Sequence, residues 1–321
     1  MSKKMKKFTN GIVAQDRARE IIGALSGKKI YLPDVTSGYP ASTLVGGKQS
    51  FSIDPLATGV GYPDVRSFKR KFGLFIPSTN TSMESELWSI IYMNQPALKG
   101  IGLHTTNVIT PKPQVGDRAG VLQYRNDFLA GLKTAIPQAL QAEPEYLIMG
   151  MSLEHILENL EEAKAPVDDV SKLSGNLGVS AWHDAVSAGL KKFGAKKISV
   201  LTPFDATGNA NALKFFQQLG FEVANIVGMG CGSAIDIGHV PDWAKEKIIK
   251  EELVYDAESG EKVDAIVQCG TNFSLSDVIE ALEPEINVPI LGINVTLLWH
   301  ALRENGFSEP LVGGGRLLRK F

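Results

Sequence analysis

Short apolar runs alternate with longer stretches of helical period from Lys71 to the C-terminus. Seven runs have the length of a buried strand and end at turn residues: F-G-L-F-I-P, L-K-G-I-G-L-H, Y-L-I-M-G-M, K-K-I-S-V-L-T-P, F-E-V-A-N-I-V-G, D-A-I-V-Q-C-G and V-P-I-L-G-I-N. Between them, apolar residues at helical spacing predict helices over 117–138, 178–193, 210–219 and 243–253. Strands that alternate with helices are typical of parallel sheets with crossover helices, so we expect an α/β fold.

The first seventy residues have a different pattern, rich in Gly, Pro and Ser, with one short helical stretch around 15–25. We expect residues 1–70 to form an irregular extension instead of a domain. Such an extension either covers a cleft or makes a contact in a homo-oligomer.

The order of the strands and turns suggests an internal repeat. The turn Pro77–Thr81 has a counterpart in Pro203–Thr207, and Gly150-Met151-Ser152 has one in Cys269-Gly270-Thr271. We interpret this as a first lobe of residues 71–175 plus 292–321 and a second lobe of residues 176–291, with the active site between the copies. The alternative is a chance similarity between two ordinary α/β units.

Composition and charge exclude several classes of function. The chain has 321 residues, 44% of them hydrophobic, and a formal net charge of -2. This balance gives no basic surface for nucleic acid or for a membrane, so we expect neither as a partner. The cationic start lacks the apolar segment of a signal peptide, and no stretch is apolar for long enough to cross a bilayer, which predicts a cytoplasmic protein.

Cys269 lies where an apolar run breaks into Gly270 and Thr271. Ligands of open α/β sheets bind beyond the carboxyl ends of the strands, and backbone N–H groups in such a turn can face an anion. Donors of this kind lower the pKa of a thiol, which can then exchange a proton with carbon near neutral pH. The alternative is that Cys269 is a small buried residue at the end of a core strand.

These residues resemble the aspartate/glutamate racemase superfamily, in particular its arylmalonate decarboxylase and maleate isomerase branch. The resemblance covers residues 71–321 and rests on I-P-S-T-N-T-S-M-E-S-E, M-G-M-S-L, L-T-P-F-D-A-T-G-N, Q-C-G-T-N and V-P-I-L-G-I-N. It implies two pseudo-symmetric, Rossmann-like lobes with parallel sheets, an active site in the cleft between them, and no metal or organic cofactor.

The resemblance also implies a single catalytic thiol. Racemases and maleate isomerases of this family carry one cysteine in each half, whereas here Gly150 stands at the first position and Cys269 at the second. This arrangement is similar to arylmalonate decarboxylase, in which one cysteine protonates the carbanion left by CO₂. Two positions depart from that pattern, since Met151 stands where a hydroxyl donor is expected and Phe204 where a tyrosine is expected.

Cys231 is the second cysteine of the chain, in a glycine-rich stretch. It is either a second reactive thiol or a residue with a packing role. Its distance along the chain from Cys269 excludes a C-x-x-C redox pair, and the nearby glycines do not form a dinucleotide-binding fingerprint.

The five histidines lack the spacing of metal ligands, so we expect no metal site. His183 and His300 fit packing or surface positions. His104, which we place at the end of a strand, is a candidate contact for a substrate carboxylate. Glu84 and Glu86 fit the first turn of a helix, where acids favour the helix dipole.

Our hypothesis is a cofactor-independent enzyme that acts at the carbon α to a carboxylate of a small acid, with Cys269 as proton donor or base. A decarboxylase or related lyase is favoured, and a maleate isomerase or racemase-type enzyme is the alternative. A non-catalytic protein that binds small carboxylates is a third reading. Neutral donors would stabilise an enediolate where its charge develops. The candidate donors are Ser78, Asn80, Thr81, His104, Ser152, Thr207, Gly270 and Thr271.

Overall fold

A computed structural model describes residues 64–109, 118–157 and 159–321, together with the strand residues 44–45 and 48–49. The chain divides into two compact units, residues 1–65 and 66–321. In the first unit, strand β1 (Leu44–Val45) pairs antiparallel with β2 (Lys48–Gln49). The rest of the expected extension up to residue 63, including its helical stretch around 15–25, lies outside the described residues.

The second unit contains two four-stranded parallel sheets. The first has the order β4-β3-β5-β6, with β3 at Arg70–Pro77, β4 at Ile101–Val108, β5 at Tyr146–Met149 and β6 at Val179–Ser180. The second has the order β8-β7-β9-β10, with β7 at Lys197–Thr202, β8 at Glu222–Gly228, β9 at Ala265–Gln268 and β10 at Ile290–Gly292. The same order in both sheets confirms the predicted fold class of two pseudo-symmetric α/β halves.

The strand register confirms which positions correspond. Met149 is the register partner of Phe75, two residues before Pro77. Gln268 is the register partner of Leu201, which likewise lies two residues before a proline. The residues that follow Met149 and Gln268, Gly150 and Cys269, are therefore equivalent in the two halves.

Helices cover the sheets. They are α1 (Met83–Met93), α2 (Arg118–Leu140), α3 (Leu160–Leu173), α4 (Trp182–Phe193), α5 (Ala206–Gln218), α6 (Asp242–Ile248), α7 (Ser276–Ile286), α8 (Ile293–Glu304) and α9 (Gly315–Lys320). The predicted helix over 178–193 begins too early, because Val179–Ser180 is strand β6. None of the described helices is long and apolar enough to cross a membrane.

Burial explains why the strands read as continuous apolar runs. Leu74, Ile148, Val200 and Val267 in the middle strands are fully buried, as expected for parallel strands covered on both faces. The late helix α8 packs against α1, α4, β5 and β6, which all precede the second sheet in the chain. This packing supports our proposal that residues 292–321 belong with the first lobe only for their α8 part, whereas α9 also contacts α7 and β10 of the second half. Strand β6 extends the first lobe's sheet past the proposed boundary at 175.

Candidate active site

A cavity of about 70 Å³ lies at the carboxyl ends of strands from both sheets. Its walls come from the segments that follow β3, β5, β7, β8 and β9, and from helix α2. Phe128, Met151, Ile156, Phe204 and Ile237 supply apolar surface, and Asn80, Ser152, His155, Gly270, Thr271 and Asn272 supply polar groups. Small-molecule sites in parallel sheets form at such strand ends, so this cavity is the candidate active site.

Cys269 follows β9 directly and is fully buried. Its N–H donates to Leu201 O at 2.9 Å, which continues the strand pairing to the last residue before the turn. Gly270 makes that turn with φ of +93°, and a Cβ atom there would lie 2.7 Å from the ring of Pro203, so the position requires glycine. Cys269 itself is not a lining residue of the cavity, whereas the next residue, Gly270, is.

The thiol of Cys269 is held in its neutral form. Burial raises its pKa well above the ordinary value, the nearby carboxyl of Glu154 raises it further, and Trp182 opposes the shift. Glu154 Oε2 and Trp182 Nε1 have no hydrogen-bond partner in the part of the chain that the structure describes. We therefore treat both groups as electrostatic contacts of the thiol, without a formed hydrogen bond. This environment is the opposite of the electropositive setting that we expected to lower the thiol pKa.

A short chain of hydrogen bonds connects the cavity wall with the interior. The N–H of Gly270 donates to Ser152 Oγ at 2.9 Å, and Ser152 Oγ donates to Glu154 Oε1 at 2.5 Å. Glu154 is 2% exposed, and burial raises the pKa of its carboxyl, partly offset by the hydrogen bond from Ser152. Ser152, predicted as a substrate donor, therefore lies between the cavity and a buried acid that the sequence did not single out.

Asn80, Thr271 and Asn272 join the two halves across the cavity. Asn80 Nδ2 donates to Thr271 Oγ1 at 2.9 Å, and the N–H of Thr81 donates to Asn272 Oδ1 at 2.9 Å. Asn80 Oδ1 also accepts from the N–H groups of Ser82 and Met83 at the start of α1. These side chains are fixed before any ligand binds, which is how a preorganised donor site is built.

His155 and Phe204 form one wall of the cavity. Their rings stack with centroids 4.4 Å apart and planes 18° apart. Burial lowers the pKa of His155 to about 4, so its imidazole is neutral at physiological pH. Phe204 therefore serves as a flat support for a neutral ring.

Glu86 has a different role from the one predicted for it. It does lie in the first turn of α1, but its carboxylate is buried and accepts from the N–H groups of Leu275 and Ser276 at the start of α7, at 2.8 and 2.6 Å. Its second oxygen accepts from Asn294 Nδ2 at 2.6 Å, and the same amide donates to Thr271 O at 2.9 Å. Glu86 thus stabilises the segment that follows Cys269.

Four of the predicted donors lie outside the cavity wall. Ser78 is exposed and donates to Val108 O, and the exposed Thr81 contributes its backbone N–H to Asn272. Thr207 is exposed in the first turn of α5. The strand-end position of His104 was wrong, because β4 continues to Val108 and places His104 in the middle of an edge strand.

The two positions considered for a second thiol also lie apart from the cavity. Cys231 follows β8, its N–H donates to Pro203 O, and burial raises its pKa. A Cβ atom at Gly150 would lie 2.6 Å from Phe75 O and 2.6 Å from Met83 Sδ, which is closer than real Cβ contacts. The expected first-thiol position therefore has no room for a cysteine without movement of the backbone. Among the described residues, no cluster of His, Cys, Asp or Glu could hold a metal ion.

Several solved structures share this fold. One is a maleate cis-trans isomerase from Nocardia farcinica, a cysteine-to-serine mutant with a covalently bound succinylcysteine intermediate. It has a TM-score of 0.64 and 19% identity, and the comparison covers 78% of this chain and 99% of its own. The maleate isomerase from Pseudomonas putida S16 has a TM-score of 0.67 and 17% identity over 78% and 98%. Arylmalonate decarboxylase has a TM-score of 0.57 and 14% identity over 78% and 100%.

Two similar parallel sheets with a cysteine at a central strand end define a member of the aspartate/glutamate racemase superfamily, in the branch of these two enzymes. A family model described as arylmalonate decarboxylase matches residues 147–318, more than half of the chain. The chain belongs to the arylmalonate decarboxylase family. By sequence, it has no match among curated proteins.

Proposed function

We propose that this protein is a cofactor-independent enzyme that protonates the carbon α to a carboxylate, and that it decarboxylates small malonate-type acids. One observation carries the proposal: Cys269, at a central strand end beside the cavity, is kept as a neutral thiol by burial and by Glu154. A neutral, water-shielded thiol is suited to deliver a proton to a carbanion. It is poorly suited to attack a double bond, since the thiolate is the nucleophile.

The cavity supplies the stabilisation that such a reaction needs. Loss of CO₂ from a malonate-type acid leaves an enediolate, and its charge develops on the remaining carboxylate oxygens. The Asn80 amide and the Thr271 hydroxyl line the space where those oxygens would bind, whereas the Ser152 hydroxyl is donated to Glu154. Donors that are held in place before reaction stabilise the transition state without reorganisation. Rotation of the Cys269 side chain towards the cavity then brings the proton to one face of the carbon.

Three observations support our choice of this reaction over isomerisation or racemisation. A racemase needs acid-base groups on both faces of the carbon, but Gly150 has no room for a side chain and Cys231 lies outside the cavity wall. The succinylcysteine in the Nocardia isomerase is a thioether adduct, which requires a reactive thiolate. The raised pKa of Cys269 disfavours that species.

The test is a comparison of two cysteine variants on a panel of 2-aryl and 2-alkyl malonates. We expect Cys269→Ser to lower the rate by about a hundredfold or more, because a hydroxyl is a far weaker acid than a thiol. Cys231→Ser should retain the wild-type rate. Protein treated with a chelator and desalted should also remain fully active. Near-normal turnover of Cys269→Ser, or restoration of a chelated protein by a metal ion, would contradict the proposal.

A second outcome distinguishes the non-catalytic alternative. If wild-type protein turns over none of the panel but binds the same acids in calorimetry, the protein is a carboxylate-binding protein. A cytoplasmic location, a homo-oligomeric state and the absence of nucleic-acid partners stay predictions.

A further inference from the structure

Glu154 is a buried acid that the proposed reaction does not yet use. Its side chain is 2% exposed, and no Lys, Arg or His in the described chain forms an ion pair with it. An unpaired buried carboxylate is costly, so such a group is protonated or is retained for a purpose. Within the described ranges only one of its oxygens has a hydrogen-bond partner, Ser152 Oγ.

Glu154 is linked through Ser152 to Gly270, the residue that follows Cys269, and its carboxyl lies close enough to the thiol for the two groups to shift each other's pKa. Glu154 raises the pKa of the Cys269 thiol, and Cys269 lowers the pKa of the Glu154 carboxyl. Cys269 is the titratable side chain that acts on Glu154. The other group that shifts the pKa of the thiol is the uncharged indole of Trp182, in the first turn of α4. The neighbouring His155 has its pKa lowered by burial and is neutral above about pH 4. The pair is thus shielded from other charges and from bulk solvent.

Ser152 is the link between this pair and the cavity. It lines the cavity, donates to Glu154 Oε1 and is itself held by the N–H of Gly270. Hydrogen bonds therefore connect the cavity wall through Ser152 to Glu154, whose other carboxyl oxygen has no partner in the described chain and is available to the thiol. Cys269 alone lacks such a connection, because it is fully buried.

We propose that Glu154 is a positioning residue for Cys269, which keeps the thiol protonated between turnovers and returns a proton to it through Ser152. This inference rests on the proposed function only for the turnover step. When Cys269 has given its proton to the carbanion, the S–H bond is broken and a C–H bond is formed. The carboxyl of Glu154 then transfers its proton to the thiolate. Ser152 passes its hydroxyl proton to Glu154 and takes one from a water molecule in the cavity, and the hydroxide that remains combines with the released CO₂ to give bicarbonate. The net transfer is one solvent proton to carbon.

A merely structural role for Glu154 predicts different behaviour. If the carboxyl only holds Ser152 in place, its replacement changes the stability and the cavity shape but not the acidity of Cys269. The acidity of the thiol is therefore the decisive readout, and it can be measured without substrate.

The experiment uses the Cys231→Ser background, in which Cys269 is the only thiol. Thiolate absorbance is followed as a function of pH for this protein, for Glu154→Gln and for Glu161→Gln. The thiol ionises only at alkaline pH, where the Glu154 carboxyl is ionised as well. Glutamine keeps the shape of Glu154 but removes that charge, so we expect a lower thiol pKa, since burial is then the main remaining cause of the shift. Glu161 is an exposed acid at the start of α3, and its replacement should leave the thiol pKa unchanged.

Activity on the malonate panel is measured with the same variants. We expect Glu154→Gln to lower kcat by about tenfold to a hundredfold with little change in KM, as for loss of a proton-transfer group. An unchanged thiol pKa in a folded Glu154→Gln protein overturns the inference. Should that variant fail to fold, Glu154→Asp, which withdraws the carboxyl from the thiol, provides the same readout. A shifted thiol pKa without turnover by any protein supports the role of Glu154 and contradicts only the proposed function.

Discussion

Replacement of Glu86 by alanine should cost much of the stability of the region around the site. The substitution removes the acceptor of three donors, the N–H groups of Leu275 and Ser276 and the amide of Asn294. A buried donor left without a partner costs about 1–3 kcal/mol. Asn294 keeps its bond to Thr271 O, and the polar cavity of about 270 Å³ beside Ser276 gives water access to the helix N-terminus. We therefore expect the low end of that range for each donor, about 3 kcal/mol in total.

The assay is urea denaturation, with a thermal scan as a second measurement. A loss of about 3 kcal/mol lowers Tm by about 6–12 °C for a unit of this size. Glu84→Ala is the matched control, two residues earlier in the same helix turn, and should change the free energy of unfolding by less than about 0.5 kcal/mol. The free energy of unfolding of Glu86→Gln should lie between those of the two alanine variants, because one amide oxygen remains to accept a hydrogen bond. If Glu86→Ala is as stable as Glu84→Ala, the carboxylate does not stabilise the start of α7 and our account of this region is wrong.

Two further predictions concern residues in and beside the cavity wall. Gly150→Ala should lower the free energy of unfolding by about 1–3 kcal/mol, because its methyl group would lie 2.6 Å from Phe75 O. Gly232→Ala should be near neutral, because its methyl group would meet only Asp236 Oδ2, at an ordinary contact distance of 3.5 Å. Equal stability of the two variants in urea would refute the steric argument. His155 has a folded-state pKa of about 4, below its ordinary value. Between about pH 6.5 and 4 the unfolded state therefore binds more protons than the folded state. The free energy of unfolding falls as the pH falls through this range, by up to about 3 kcal/mol. His155→Phe should flatten that dependence in denaturation measured across this range, and an unchanged slope would show that His155 is not buried as a neutral ring.

The strands were predictable because buried parallel strands are continuous apolar runs. All seven predicted runs contain strands of the two sheets. The eighth strand, Val179–Ser180, has two residues, too few for any period, and it continues directly into a helical pattern at Trp182. For this reason the predicted helix over 178–193 begins before α4 does.

The duplication was predictable from turn residues. Proline at the ends of β3 and β7 and the short side chains after β5 and β9 mark equivalent strand ends, as the register shows. The inference that Gly150 occupies the position equivalent to Cys269 is confirmed on this basis. Whether a side chain fits there depends on how closely α1 and β3 approach, which periodicity does not report.

The site was predictable only in part. Among the residues that the strand-end rule indicated, Asn80, Ser152, Gly270 and Thr271 line the cavity, and their roles towards a substrate stay predictions. Ser78 and Thr207 do not line it, because the direction of a side chain in a turn depends on backbone angles that composition does not specify. Glu154 and His155 were missed since they read as ordinary polar residues after a strand. A usable signal existed, because both interrupt the otherwise apolar stretch M-S-L-E-H-I-L.

Glu86 shows why a local reading of charge can be incomplete. Its position in the first turn of α1 is correct, but its hydrogen bonds join residues that lie 189 to 208 positions later in the chain. Such long-range partners depend on the packing of the two halves. A single sequence contains no local pattern that identifies them.

The most direct test of the central claim is the stereochemistry of protonation by Cys269. A prochiral 2-aryl-2-methylmalonate is incubated with the enzyme in deuterated water, and the enantiomer ratio and deuterium content of the product acid are measured. With one thiol on one face, the account predicts a single enantiomer that carries one deuterium at the α carbon, and almost no product with Cys269→Ser. A racemic product, or an unchanged rate and enantiomer ratio with Cys269→Ser, would contradict it.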